Sequence, residues 1–198
     1  MHLALDIFQG LGIAAAVGIR PFLPALAVGA LAAGDIQIDF HHTGYSFLQG
    51  WPFLLAMLLG AIVLTLAERQ LSGGQLPLGQ RALPVAMIGC GLALGALLFA
   101  GSLAQDHNTA WPGLIAGVLC AGLGAAATRP LLRRARARLV GADAAALPAY
   151  AEALGLLVAV LTVLLPPIGV VAVAMLGWLL VAGRRREGQK YAGLRILR

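Results

Sequence analysis

Of 198 residues, 60% are hydrophobic and 11% charged, a mean hydropathy of +0.89 that one soluble core of this size could not hide, so lipid must be the solvent for most of the chain. The formal net charge of +6 comes largely from arginines beside apolar runs, as in RPLLRRARAR (129–138) and GRRREGQK (183–190). That placement reads as cytoplasmic loops facing anionic lipid headgroups and excludes nucleic acid as the partner. Three serines, and no G-x-S-x-G, H-E-x-x-H or Walker loop, argue against an enzyme, and no cofactor is expected.

The chain opens on MHLALDIFQG, which lacks a basic n-region and carries Asp6, so a cleaved signal peptide is not expected. Two apolar halves follow, Leu3–Ile19 and Phe22–Ala33, joined by Arg20-Pro21 with Pro24 just beyond. Proline removes a helix donor and disfavours helical backbone in the residue before it, so this reads as a Pro-broken hairpin, spanning or re-entrant. Arg20 at its tip, beside the N-terminus of the next helix, is a candidate for holding phosphate or carboxylate. An interfacial loop arginine obeying the positive-inside rule is the plainer alternative. Asp6, near the outer end of the first helix, is a weaker candidate for a buried acid.

The connection Gly34–Gly50 holds Asp35, Asp39, His41 and His42 and neither Lys nor Arg, which places it outside. Asp-x-x-x-Asp-x-His-His would bind a transition metal only if the loop folded round it. Adjacent histidines splay apart in most backbones, so no metal is assigned. Trp51–Ala67 is the first uninterrupted span. Glu68 follows it, either compensating Arg69 locally or serving a buried site. The connection Glu68–Arg81 carries Arg69 and Arg81 and belongs inside.

Ala82–Ala104 and Trp111–Thr128 are the next spans, joined through Gln105–Ala110, which carries Asp106 and belongs outside. Cys90 and Cys120 fall within these spans, where thiols pack. The connection Arg129–Leu147 holds five arginines and belongs inside. The last apolar run, Leu154–Gly183, is basic at both flanks and interrupted by Pro166-Pro167. It therefore reads as a second hairpin, Tyr150–Leu165 and Ile168–Ala182. Each half is about 24 Å long at 1.5 Å per residue, short of a ~30 Å hydrocarbon core. Glu152 falls in the first turn of that hairpin, where a carboxylate complements the helix dipole or handles protons.

A shift of 60 residues aligns 24–71 with 84–131 without a gap, with 12 of 48 positions identical. Pro24, Gly29, Trp51, Pro52 and Arg69 meet Pro84, Gly89, Trp111, Pro112 and Arg129. Trp-Pro reads as an interfacial anchor with a helix-starting proline, and the arginine as the helix end at the opposite interface. Two helices per copy make this a parallel repeat, compatible with transporters and with plain structural duplication. The segments GCGLALG (89–95) and GLIAG (113–117) each hold a G-x-x-x-G, which lets helices approach closely in lipid.

Gly18, Phe22-Leu23-Pro24, Leu26 and Gly29, the acid Glu152 opening the final apolar segment and the basic tail together resemble an uncharacterised family of small bacterial membrane proteins, a domain of unknown function. That resemblance implies a bacterial inner-membrane location and no particular activity. The segment RPFLP is locally similar to the arginine-proline re-entrant hairpins of DedA-type proteins, which are associated with lipid-phosphate translocation; the likeness rests on Arg20 and the prolines.

The sequence thus predicts an all-α, multi-pass membrane protein of about seven hydrophobic helical segments, two Pro-broken hairpins bracketing a duplicated helix pair. Residues 1–183 form one membrane domain, with the N-terminus outside, and 184–198 a basic cytoplasmic tail. The function expected is a small transporter or translocator for an anionic lipid or small anion, with Arg20, Glu68 and Glu152 binding it. The alternative is a structural or accessory protein without transport. Membrane lipids are the expected partners, and the Gly-rich faces are compatible with a homo-oligomer.

Overall fold

Prolines and glycines decide where these helices stop and how closely they meet. The computed structural model describes the backbone of residues 2–38, 40, 43–72, 79–105, 110–136, 138 and 142–192, with side chains for 3–38, 40, 43–70, 83–105, 110–136, 138 and 146–184. Seven α-helices follow in order: α1 (His2–Ile19), α2 (Phe22–Ala33), α3 (Trp51–Ser72), α4 (Gly79–Ala104), α5 (Trp111–Arg136), α6 (Ala142–Leu164) and α7 (Pro167–Ala192). There is no strand among the described residues. Five of the helices, α3 to α7, are long and apolar enough to cross a membrane, and the protein is an integral, multi-pass membrane protein.

Helix α1 occupies the centre. It packs against α2, α4, α5, α6 and α7, and Gly12 to Arg20 are buried without a break. Contact on every side is feasible because much of its surface carries little or no side chain. A Cβ at Gly18 would run into the backbone carbonyl of Ala121 on α5. One at Gly12 would lie 2.6 Å from the Gly169 Cα on α7. From the partner side, Gly124 and Gly169 present bare backbone to the Ala15 and Phe8 carbonyls of α1. Helix α4 meets α5 in the same way, with Gly117 against the Gly95 backbone, so both G-x-x-x-G segments are used within the bundle.

The proline breaks are accounted for donor by donor. Pro21 ends α1 after the Arg20 N–H has bonded the Ala16 carbonyl at 3.2 Å. In α2, Pro24 falls in the first turn, where an N–H has no intrahelical partner anyway. Between α6 and α7, Pro166 and Pro167 cannot donate to the carbonyls four residues back, Thr162 and Val163. The buried Gln9 side chain of α1 donates to the freed Val163 carbonyl at 3.2 Å.

These contacts thread the chain so that one end of the bundle holds Arg20, the C-terminal ends of α3, α5 and α7 and the N-terminal ends of α4 and α6. At the opposite end, part of the connection after α2 folds back as a plug, while 34–37 stay exposed. Ile38, Phe40 and Leu48 join the core with Ile13, Val28 and Leu98, and the buried Phe40 N–H donates to Gln49 Oε1 at 3.0 Å. Asp35 and Gln37 reach that path through left-handed backbone, at φ 54° and 62°.

Several sequence expectations need correction. The final hairpin is not built of short arms, since α6 and α7 have 23 and 26 residues and apolar stretches of 19 and 18. Pro148 sits inside α6 rather than before it. Arg129 does not end its helix, because α5 continues through Pro130 to Arg136 and three arginines in its last turn favour the negative dipole end. The segment from residue 184 continues as helix to Ala192, and 193–198 lie outside the described residues, as do Asp39, His41, His42 and Asp106. The two segments matched by the 60-residue shift have unequal first helices, 12 residues in α2 against 26 in α4, while Trp51 and Trp111 open α3 and α5 alike.

Close approach at Gly18 is testable. Gly18→Ala should destabilise the protein by about 3 kcal/mol or more, since the obstacle is backbone and cannot swing aside. Gly177→Ala, with open space round it, should stay within about 1 kcal/mol of the parent. Unfolding in a detergent-to-dodecyl-sulfate titration, followed by tryptophan fluorescence, measures both. Equal stability of the two variants would contradict the α1–α5 contact.

Candidate functional site

Because α1 is central and Arg20 closes it, the guanidinium is carried into the bundle rather than to its rim. The Arg20 side chain is 7% exposed. Its Nη1 donates to Glu68 Oε1 on α3 at 2.6 Å and stands 3.9 Å from Glu152 Oε1 on α6. The two carboxylates, 22% and 17% exposed, therefore share one guanidinium nitrogen across three helices. An unpaired charge at this depth would be costly, and paired acids from separate helices are the usual compensation.

Local sequence explains each position. Glu68 stands four residues before the end of α3, too far down for the outer loop and just far enough to meet the Arg20-Pro21 turn. Its partner is Arg20 rather than the neighbouring Arg69, which is exposed. Glu152 is not in the first turn of its helix. Helix α6 begins ten residues earlier, so the dipole at its N-terminus falls off before reaching this carboxylate. Gly155, one turn on, brings α6 against the hairpin; a Cβ there would sit 3.1 Å from Pro24 Cγ and 3.7 Å from Arg20 Cβ. The second oxygen of Glu152, Oε2, is buried and has no hydrogen-bond partner among the described residues.

A fourth charge completes the group. Arg129 of α5 donates from Nη2 to the Pro84 carbonyl of α4 at 3.2 Å and lies close enough to Arg20 for the two guanidiniums to repel. Among the described residues no carboxylate is within ion-pair distance of Arg129. The cluster therefore holds two positive and two negative charges. The sequence pointed to Arg20, Glu68 and Glu152, and the fold brings all three together. It did not point to Arg129, which looked like a helix terminus; the signal was its matching position to Arg69 after a Trp-Pro pair.

The remaining candidates lie elsewhere. Asp6 is near the opposite end of α1, about 21 Å from Arg20 along the helix at 1.5 Å per residue. Asp35 is on the exposed surface of the plug segment. Cys120 is buried, and Cys90 is exposed on the flank of α4.

Residues 7–186, a stretch that contains all four charges of the cluster, match the family described as a domain of unknown function, DUF4126. The chain belongs to the DUF4126 family. No curated protein and no solved structure matches the chain. Nothing in these comparisons supports kinship with DedA-type proteins. Membership of DUF4126 carries no activity with it, and the chemistry has to be read from the cluster itself.

The ion pair sets an order of stability losses. Arg20→Met should cost about 3–5 kcal/mol, because it removes the cation that two half-buried carboxylates share. Glu152→Gln should cost less, since Arg20 keeps its shorter contact to Glu68. In the Arg20→Met/Glu68→Leu double variant, part of the loss should return. The same dodecyl-sulfate titration reads all three, and an Arg20→Met protein as stable as the parent would mean the pair is not buried in the bilayer.

Proposed function

We propose that the protein is a translocator in which an anionic group exchanges with carboxylate at Arg20 and a proton travels with it. The observation that carries this reading is one buried guanidinium shared by two carboxylates from two other helices. An incoming anion has to take the place of Glu68. Protonating Glu68 or Glu152 removes the competing negative charge, so proton and anion enter together and the cluster keeps its net charge. A neutral exchange of this kind avoids placing an uncompensated charge in the membrane interior. The arginine-rich end would face the cytoplasm, in a bacterial inner membrane, by the positive-inside rule.

A second reading has support of its own. The centre of α1, Ile13 to Val17, is fully enclosed by side chains and backbone. That close packing suits an accessory membrane protein in which the Arg20 pair only fastens α1, α3 and α6 together.

Transport separates the two. In proteoliposomes enclosing a pH-sensitive dye, an imposed proton gradient should be dissipated faster in the presence of a transported anion, soluble or lipid, than in protein-free vesicles. Glu68→Gln should lower this coupled proton flux by about tenfold or more, because the amide still lets the anion in but cannot carry the proton. A folded, reconstituted parent protein that moves neither protons nor anions would retire the translocator and leave the fastening role.

A further inference from the structure

Helix α3 is attached on one side only. It packs against α2 and the 3₁₀ turn at Ser46–Gln49 and hardly at all against α4, and just 6% of its apolar stretch is buried. Between α3 and α4 this leaves a groove of about 140 Å³, walled by Gly60 and Leu64 of α3, Phe22 of α2, and Leu83, Ala86 and Cys90 of α4. The Phe22 ring packs directly on Gly60, where a Cβ would meet it at 2.5 Å, and so forms the floor of the groove. The lining is apolar and carries no charged side chain.

One end of the groove leads to charge. Leu64 is one turn from Glu68, Phe22 is two residues from Arg20, and Leu83 adjoins Pro84, whose carbonyl holds Arg129. We infer that this groove binds an anionic membrane lipid, with part of one acyl chain between Leu64 and Phe22 on one side and Leu83 and Ala86 on the other, and the headgroup phosphate at Arg129. The assignment names the substrate class for the exchange proposed above and rests on that reading for the role of Arg20; the contact at Arg129 does not depend on it.

The choice of lipid over a dissolved anion follows from the walls. A water-soluble phosphate has no polar side chain to meet along the groove, whereas an acyl chain is at home there. An acyl chain, however, gains little in such a groove relative to surrounding lipid, which is equally apolar. Selectivity must therefore come from the headgroup. A guanidinium suits it, since it pairs with phosphate through two parallel N–H donors. Arg129 is the better first contact, because Arg20 is already engaged by Glu68 and Glu152. Any phosphate reaching Arg20 meets Glu68 as well, so the inner step requires that carboxylate to be neutral.

The test is retention of defined lipids by the delipidated full-length protein in mild detergent, counted by native mass spectrometry. Dioleoyl phosphatidylglycerol should be held about tenfold more tightly than dioleoyl phosphatidylcholine, because both carry the phosphate but the choline cation of the second repels Arg129 and offsets the phosphate charge. Arg129→Gln should bring the two lipids close to parity. Ala86→Trp, a change on an exposed wall position that fills the groove without touching the core, should reduce retention of both. Millimolar inorganic phosphate should leave phosphatidylglycerol in place. Equal retention of the two lipids by the parent, an unchanged preference in Arg129→Gln, unchanged retention in Ala86→Trp, or displacement by inorganic phosphate would each overturn the lipid site. Retention as expected with no flux in proteoliposomes keeps the site and removes the translocator. Flux without selective retention removes the site and keeps exchange at Arg20.

Discussion

Backbone-to-backbone contact around α1 is the constraint from which the rest of the arrangement follows. In lipid there is no hydrophobic gain in pressing two helices together, so association depends on how closely they can approach and how many dispersion contacts result. Glycines at 12 and 18 on α1, and at 124 and 169 on its neighbours, remove the side chains that would hold the axes apart. A helix packed on every side has no lipid-facing surface to spare. Whatever polar group it carries must then be satisfied by protein.

Two such groups show the consequence. Gln9 finds the carbonyl that Pro167 leaves without a partner, so a break in α6–α7 and a polar residue on α1 compensate each other. Arg20 finds Glu68 and Glu152. The charge is not tolerated despite its burial. Its burial is what recruits acids from two helices that would otherwise have no reason to carry them at that depth. On the less enclosed α5, Arg129 meets the Pro84 carbonyl and, among the described residues, no carboxylate.

Much of this was legible in the sequence, for definite reasons. The bounds of α1 and α2 were readable because Pro21 and Gly34 act locally on the backbone. The helical class was readable because nothing else satisfies backbone groups in lipid. Helix ends at the arginine-rich side were misjudged because apolar content falls before the helix does: Arg129 and Pro130 in α5 and Pro148 in α6 look like termini but sit inside helices. That error moved Glu152 from the third turn of α6 to the first and supplied a false local explanation for it. The plug was missed for the converse reason, since the acids and histidines of the 34–50 connection drew attention from Ile38, Phe40 and Leu48. Arg20, Glu68 and Glu152 could be singled out one by one, but the Arg20–Glu68 contact joins positions 48 apart with no pattern to announce it.

The central position of α1 also has a consequence for biogenesis. Its principal neighbours, α4 to α7, are all synthesised after it, so the helix made early is the one that must wait for its surroundings. Until α6 is in place, Arg20 lacks one of its two acids, and until α3 emerges it lacks both. During that interval a bare small-residue helix with a terminal cation stands against lipid or the insertion machinery, a state of high sequence separation between eventual partners. Assembly is then completed backwards, by late helices closing round an early one, and the final proline-broken pair serves as the latch.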